Sequence, residues 1–377
     1  MHQTSTLRAL QSASVDQNSY RATRSVLDEI EAESAGINFL FVSPQSDLNQ
    51  VSRALAEVAS VPTLCCTSAG EIWRGQGHIK KGIVGASLAG VRAQVWSIDN
   101  LDSFCETDAT ELVARMREFR ESEQAGETVS AVVLLDGLSQ SEERVVSHLS
   151  HALSGLPIVG GSAGDDLNFE TTKVLANGAF AENQGAVALI ASPGPTTTFM
   201  AHHFEPTGTR LVVTAADPKR RRLLELDGMP AAEAYRLATG FGNEPLSKEA
   251  MAVAPLVLSV GGRTYVRSLV GEVDEVDGAL DLYCAIEEGL VLQIGRPTDL
   301  EGTLLQLFED IHRKVGPPQL VLGFDCILRR LEMELFPCSD RVRGSLKQNN
   351  FFGFSTYGEV FGGLHVNQTL TGIAFGG

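Results

Sequence analysis

Two stretches of the chain carry the same order of apolar and polar positions. Leu40 to Ile72 reads "LFVSPQSDLNQVSRALAEVASVPTLCCTSAGEI", and Leu134 to Leu167 reads "LLDGLSQSEERVVSHLSHALSGLPIVGGSAGDDL". Each opens on an apolar strand, "INFLFV" or "AVVLLD", and passes through a serine-rich polar turn. Each then places apolar residues at helical spacing: Val51, Leu55 and Val58 in one, Val145, Leu149, Ala152 and Leu153 in the other. That period predicts an amphipathic helix. Pro62 and Pro157 follow, where a helix must stop and an extended segment begin. Both copies end in S-A-G-acid, so Leu40–Gly70 and Leu134–Gly164 read as one step.

The segments after the copies, 81–98 and 185–204, each read as strand, glycine-containing turn and strand, which predicts a hairpin. A looser third copy spans Leu320 to Gly358, with strand "LVLGFDC", helix "ILRRLEMEL", an extra helical turn or helix in "PCSDRVRGSLKQ", and strand "NNFFGFSTYGEV". The strand "VNQTLTGIAF" closes the chain. Between the second and third copies, a strand, an "LDG" turn and a helix begun near Pro230 precede three or four antiparallel strands with Gly-Gly and Asp-Gly turns. The fold expected is α/β in the mixed α+β manner: repeated strand–helix–strand–hairpin units in mixed sheets flanked by helices. Expected divisions are a helical or mobile segment at 1–33, a first domain at 34–215 holding the internal repeat (38–98 and 131–204), and a second domain at 216–377.

Composition narrows the function. A formal charge of −17, spread along 377 residues, disfavours nucleic acid and anionic membrane surfaces as partners. No apolar run is long enough to span a bilayer, and the first residues lack the layout of a signal peptide. A cytoplasmic location is expected. The six cysteines, Cys65, Cys66, Cys105, Cys284, Cys326 and Cys338, form no C-x-x-C pair and read as reduced, mostly buried thiols.

The segment "VGGSAGDD" (159–166) matches the G-x-S-x-G pattern of a serine nucleophile elbow at Ser162. An elbow is followed by a helix, however, and "DDLNFETTKVLANGAF" has no helical period. A phosphate loop would need a lysine where Asp165 and Asp166 stand. The shared element is a small polar residue, then glycine, then an acid: Ser68, Gly70 and Glu71; Ser162, Gly164 and Asp165; and Ser355, Gly358 and Glu359. Gly70, Gly164 and Gly358 are expected to supply positive φ at tight turns, with each acid bonding nearby amides. Ser162 is then a hydrogen-bonder, and three such turns could line one pocket at the strand ends.

"CCTSAGEI", "VGGSAGDDL", "ELDGMPAAEAY", "YVRSL", "FDCILRRLE" and "GFSTYGEV...HVNQTLTG" together resemble FIST proteins, sensory modules with N-terminal and C-terminal FIST domains. "HHFEPTG" and the C-terminal motifs are most similar to the haem-binding, nitric-oxide-sensing (NosP-like) branch. The resemblance implies a non-enzymatic bacterial sensor that binds a small ligand. On the branch reading the cofactor is haem and the signal nitric oxide. The partner is a separate histidine kinase, or a diguanylate cyclase or phosphodiesterase of cyclic-di-GMP signalling, because no output domain is recognisable in the chain.

Haem requires an axial ligand, most often histidine. With that resemblance, His202 and His203 in "TTTFMAHHFEPTG" are the first candidates for the iron, and strand alternation gives His202 the more apolar surroundings. His365 is the next, with Cys65 or Cys66 a minor option. His148 and His151 share a helix side, and His312 lies near a helix end. Arg267 suits a carboxylate or propionate clamp, and Thr356, Glu359 and Asn367 surround the last turn. Two alternatives stay open: a FIST sensor of another small ligand such as an amino acid, and a serine hydrolase with Ser162 as nucleophile and His365 as base.

Overall fold

The computed structural model describes residues 7–31, 34–73, 77–79, 81–242, 246–273, 277–335 and 340–377. His2 and Cys338 lie outside them. The chain begins with β1 (Arg8–Ser14), α1 (Ser19–Ile30), β2 (Ala35–Val42), α2 (Leu48–Val58), β3 (Thr63–Thr67), β4 (Glu71–Trp73), β5 (Gly77–Ile79), β6 (Ile83–Ala89) and β7 (Arg92–Ile98). It continues with α3 (Glu106–Arg115), α4 (Arg117–Glu121), β8 (Thr128–Leu135), α5 (Glu142–Ala152), β9 (Ile158–Ser162), β10 (Val174–Ala176), β11 (Ala179–Ala181), β12 (Gly185–Ser192) and β13 (Thr196–Ala201). Next come β14 (Phe204–Asp217), β15 (Arg222–Leu226), β16 (Met229–Pro230), α6 (Ala231–Thr239), α7 (Lys248–Val253), β17 (Leu256–Val260), β18 (Arg263–Arg267), β19 (Leu269–Val273), β20 (Leu280–Leu282) and β21 (Val291–Pro297). The last part holds α8 (Leu300–Val315), β22 (Pro318–Cys326), α9 (Ile327–Leu335), α10 (Asp340–Gln348), β23 (Phe351–Thr356), β24 (Glu359–Phe361), β25 (Leu364–Val366) and β26 (Leu370–Gly376).

The mixed α/β class expected from the repeats is the class observed. Local chemistry explains the repeat. In the first copy the Asp47 carboxylate caps α2 by accepting the Asn49 and Gln50 amides at 3.0 and 3.2 Å. Val51, Ala54 and Leu55 form its buried stripe. β2 and β3 then pair in parallel, as β8 pairs β9 and β22 pairs β23.

Contacts divide the chain into two compact units: residues 1–201, 304–365 and 370–377, and residues 202–303 with 366–369. The first contains three six-stranded sheets, ordered β1-β6-β2-β3-β10-β11, β7-β12-β8-β9-β24-β25 and β13-β26-β22-β23-β4-β5. These are one plan used three times. The expected hairpins at 81–98 and 185–204 do not form. β6 pairs with β1 and β2 while β7 joins β12 in the next sheet, and β13 leaves β12 to pair with β26. Alternation and a glycine turn specify two strands but not that they pair with each other.

The outer pair of each sheet also comes from another copy. β10 of the second copy pairs with β3 of the first, β24 of the third with β9 of the second, and β4 of the first with β23 of the third. The exchange is a closed circle. The inner faces of the sheets meet in one core that contains Phe39, Phe41, Val132, Leu134, Phe324, Phe352 and Phe354. Phe41 lies 5.3 Å from Phe352 and 4.3 Å from Phe354, ring centre to ring centre. Complete burial of each such side chain contributes about 1.5–3 kcal/mol. The outer faces carry α1 and α2, α3 to α5, and α8 with α10.

The second unit is a sheet ordered β18-β17-β21-β14-β15-β20-β19, with β16 paired to β15. Leu211, Tyr235, Leu256 and Leu292 lie in its core. Five strands, β17 to β21, replace the three or four expected there.

Candidate functional site

The three turn motifs converge, because the strand exchange ends there. The Ala69 amide donates to the Ser355 carbonyl (2.9 Å), Tyr357 to Ser162 (3.3 Å) and Gly164 to Thr67 (3.1 Å). In return, the Ser355 amide donates to the Gly70 carbonyl (2.7 Å), Ser162 to Gly358 (2.8 Å) and Thr67 to Lys173 (2.9 Å). These bonds set the equivalences. Ser162 and Ser355 correspond to Thr67, and Ser68 corresponds to Ala163 and Thr356. The textual match of S-A-G-E to S-A-G-D is therefore one residue out of register, and Glu71 corresponds to Glu359 and, beyond the loop inserted in the second copy, to Val174.

The glycines act differently from expectation. Only Gly70 has positive φ, 134°. Gly164 is required by approach: a Cβ there would lie 2.7 Å from the backbone nitrogen and the Cβ of Ala69. At Gly358 it would lie 2.0 Å from Nε2 of His365. The turns thus pack into each other and close the space between them.

The acids are buried. Ser68 Oγ donates to Glu71 at 2.7 Å, and Thr356 Oγ1 donates to Glu359 at 2.5 Å. Burial raises the Glu71 carboxyl to about 7, although the Ser68 hydrogen bond pulls it down. Ser162 and Ser355 are fully buried, and neither hydroxyl has a hydrogen-bond partner. Ser162 acts in the hub through its backbone, which corrects the expected role of its hydroxyl.

Asp165 organises the loop that follows. Its carboxylate accepts the amides of Phe169, Glu170 and Thr171 at 2.7–2.9 Å and the Tyr357 hydroxyl. Burial, then the Asp165 hydrogen bond, pushes the Tyr357 phenol well above its ordinary value. Asp166, Leu167 and Phe169 all have positive φ (56°, 69° and 53°). For residues other than glycine such conformations cost roughly 1–3 kcal/mol each. Arg330, buried on α9, holds the loop from the other side: it donates to the Ala69 carbonyl and, at 3.2 Å, to Asp166. Ala69, Asp166 and Arg330 come from the first, second and third copies.

A cleft of about 420 Å³ opens beside this hub, at the carboxyl ends of β2 and β3. Pro44, Leu48 and Phe180 give it an apolar side, and Ser46, Ser52, Thr171 and Lys173 a polar one. Ligands of open α/β sheets bind at such strand ends.

The remaining candidates are divided between the units. His202, His203, Arg267 and Asn367 belong to the second unit, and His365, Thr356 and Glu359 to the first. The chain breaks strand geometry at 202–203, so alternation does not carry through, and His203 is the buried one of the pair. His202 Nε2 lies 2.9 Å from the Thr264 carbonyl, and its Nδ1 accepts the Phe204 amide at 3.3 Å. The His203 ring packs against Phe204 at 4.4 Å. His365 lies 3.2 Å from Glu143 through Nδ1, with Nε2 against the Gly358 backbone. Burial holds Cys65 and Cys66 as thiols. Haem iron at His202 would displace a hydrogen bond at either ring nitrogen, at His365 it would meet the Gly358 backbone or Glu143, and at Cys65 or Cys66 it would need a thiolate that burial disfavours, so these residues fit haem poorly as they stand. Among the described residues no group of three His, Cys, Asp or Glu side chains could hold a metal ion, and no helix is long and apolar enough to cross a membrane.

Reading the sequence passed over Lys173, Tyr357, Arg330 and Glu143. Tyr357 lies inside the motif "GFSTYGEV". Lys173 interrupts an otherwise acidic and neutral run after Gly164, and that was the signal available.

Comparison with family models matches the FIST N domain over residues 37–229 and the FIST C domain over residues 231–362. The chain belongs to the FIST family. FIST domains are sensory and typically non-catalytic, and the chain is a sensory signalling protein. Comparison with curated proteins found no significant relative. Among solved structures, a cyanuric acid hydrolase described as "evolutionary innovation by structural concatenation" is similar over 98% of this chain and 99% of its own, at 9% identity and a TM-score of 0.35. A likeness that distant carries no argument about fold or chemistry.

Proposed function

We propose that this FIST protein takes a small ligand in the cleft at the ends of β2 and β3 and passes its state to a separate partner. The observation that supports this is the shared wall: Thr171 and Lys173 line the cleft and end the strained loop that Asp165 and Tyr357 tie to the hub. A ligand that moves this wall acts on the contacts that join all three copies. Leu167 and Phe169 of the same loop are exposed, so the change reaches the surface. A histidine kinase, or a diguanylate cyclase or phosphodiesterase, is the partner class implied by the family resemblance.

A thermal-shift screen of small metabolites tests this reading. A compound that raises the melting temperature by mass action should lose its effect in Ser52→Trp, which fills the cleft from α2. A ligand whose effect is untouched by Ser52→Trp would move the site elsewhere.

Haem with nitric oxide as the signal, through His202 or His203, is the reading implied by the branch resemblance. It has less support from these residues because both ring nitrogens of His202 are engaged and His203 is buried against Phe204. The visible spectrum of protein expressed with ample haem is its test: a Soret band that shifts with nitric oxide and is lost on replacement of His202 and His203 would restore it.

A further inference from the structure

The same strand-end position occurs in each sheet of the first unit, and two of them differ in what fills it. In the second copy the position beside Ser162 is Gly358, whose missing side chain leaves room for the His365 ring. His365 is buried there beside the Glu143 carboxylate at 3.2 Å. In the first sheet the residue corresponding to Gly358 is Lys173, contributed by the second copy and paired to Thr67 as Gly358 is to Ser162. The middle residue of the outermost strand, β11, is Phe180, where the outermost strand of the second sheet, β25, has His365. Phe180 and Lys173 leave the position open as the cleft. A site filled by an internal side chain and its carboxylate partner in one copy is open in the other, and its wall is cationic.

From this we infer that the first-copy cleft binds a small monocarboxylate with an apolar end, its carboxylate on Lys173 and its hydrocarbon against Leu48, Pro44 and Phe180. The inference rests on the reading of the cleft as the ligand site.

The chemistry favours a single negative charge. The Lys173 backbone is pinned: its amide donates to Thr67 Oγ1 at 3.0 Å and its carbonyl accepts the Thr67 amide at 2.9 Å. Among the described residues its ammonium pairs with Glu182, at 3.8 Å, with that side chain 58% exposed. Such a pair contributes little and is readily exchanged for a closer, less exposed carboxylate. Glu182 keeps the Thr171 hydroxyl as a partner at 2.8 Å. The Asn49 and Gln50 amides of α2 are already taken by the Asp47 carboxylate, which puts a negative charge where a phosphate would dock. With one lysine, and Asp47 and Glu182 nearby, a dianion would be repelled. The volume, about 420 Å³, lies within the range of small-ligand sites.

The test is calorimetric titration of the full chain with isovalerate and benzoate, and with isovaleramide and benzamide as uncharged matches. The acids should bind and the amides should not. Lys173→Met should weaken the acids by roughly ten-fold or more, the worth of a charge-assisted hydrogen bond. Lys173→Arg should retain most of the affinity. The unliganded melting temperature of each variant reports whether it has folded. Amides binding as well as acids, or acids unaffected by Lys173→Met, would overturn the carboxylate assignment and leave the cleft as the ligand site. Acids that fail to bind at all would overturn it too. The wider reading falls separately, when the ligand found by screening ignores Ser52→Trp.

Discussion

The Tyr357 hydroxyl donates to the Asp165 carboxylate and accepts the Leu167 amide at 2.9 Å. One phenolic oxygen thereby ties the turn of the third copy to the loop of the second, and the Phe169 ring stacks on the Tyr357 ring at 4.7 Å. Tyr357→Phe keeps the ring and removes both hydrogen bonds. It should lower stability by about 1–3 kcal/mol in chemical denaturation, because the Leu167 amide loses its partner. Amide exchange at 166–171 should accelerate more than elsewhere. Unchanged exchange in that segment would show that Asp165 alone holds the loop.

Glu71 makes stability depend on pH. Its carboxyl titrates near 7 in the folded state because burial disfavours the charge, against 4.5 ordinarily. The folded chain therefore holds a proton that the unfolded chain has released. This contribution is complete below about 4.5 and is lost as pH rises to about 7. The interval corresponds to about 3 kcal/mol, an upper figure. Denaturation of wild type and Glu71→Gln at pH 5 and pH 8 should show the variant gaining relative stability at pH 8. Parallel curves would mean that Glu71 is ionised throughout.

The contact of Gly358 with His365 is steric. Gly358→Ala should cost roughly 1–3 kcal/mol, because the new methyl falls on Nε2. In a His365→Ala background the same change should cost much less. Equal costs in the two backgrounds, measured as a double-mutant cycle, would place the strain in the backbone instead.

Ser162→Ala should be neutral or slightly stabilising. The hydroxyl is buried without a partner, so the protein gives up no hydrogen bond and loses a desolvated polar atom. A fluorophosphonate probe should leave the wild type unlabelled. Labelling that disappears in Ser162→Ala would contradict a purely structural serine.

The parts that sequence showed and the parts it hid divide along a physical line. Strands such as 35–42 and 128–135 and helices such as 48–58 follow from local period and from Asp47 and Pro62, all within one copy. The partners of β7, β10, β13 and β24 lie in other copies, and no local pattern specifies a pairing across such distances. The S-A-G-acid echo located the hub but misaligned it, because Thr67 takes the place of a serine. Strand alternation favoured His202 over His203 and failed where the chain leaves β geometry between Ala201 and Phe204. Lys173 carries no local signal of its role, because it stands in the first sheet where the second sheet has Gly358, which only the hydrogen-bond register shows.

The central claim is that a ligand in the first-copy cleft is felt at the hub. Hydrogen exchange of the full chain, with and without the ligand found by screening, tests it most directly. Slower exchange is expected in the first turn of α2, in residues 166–171, and in residues 351–359 of the third copy, which the ligand does not touch. Protection confined to residues 202–303, with the cleft and the turns unchanged, would contradict the account.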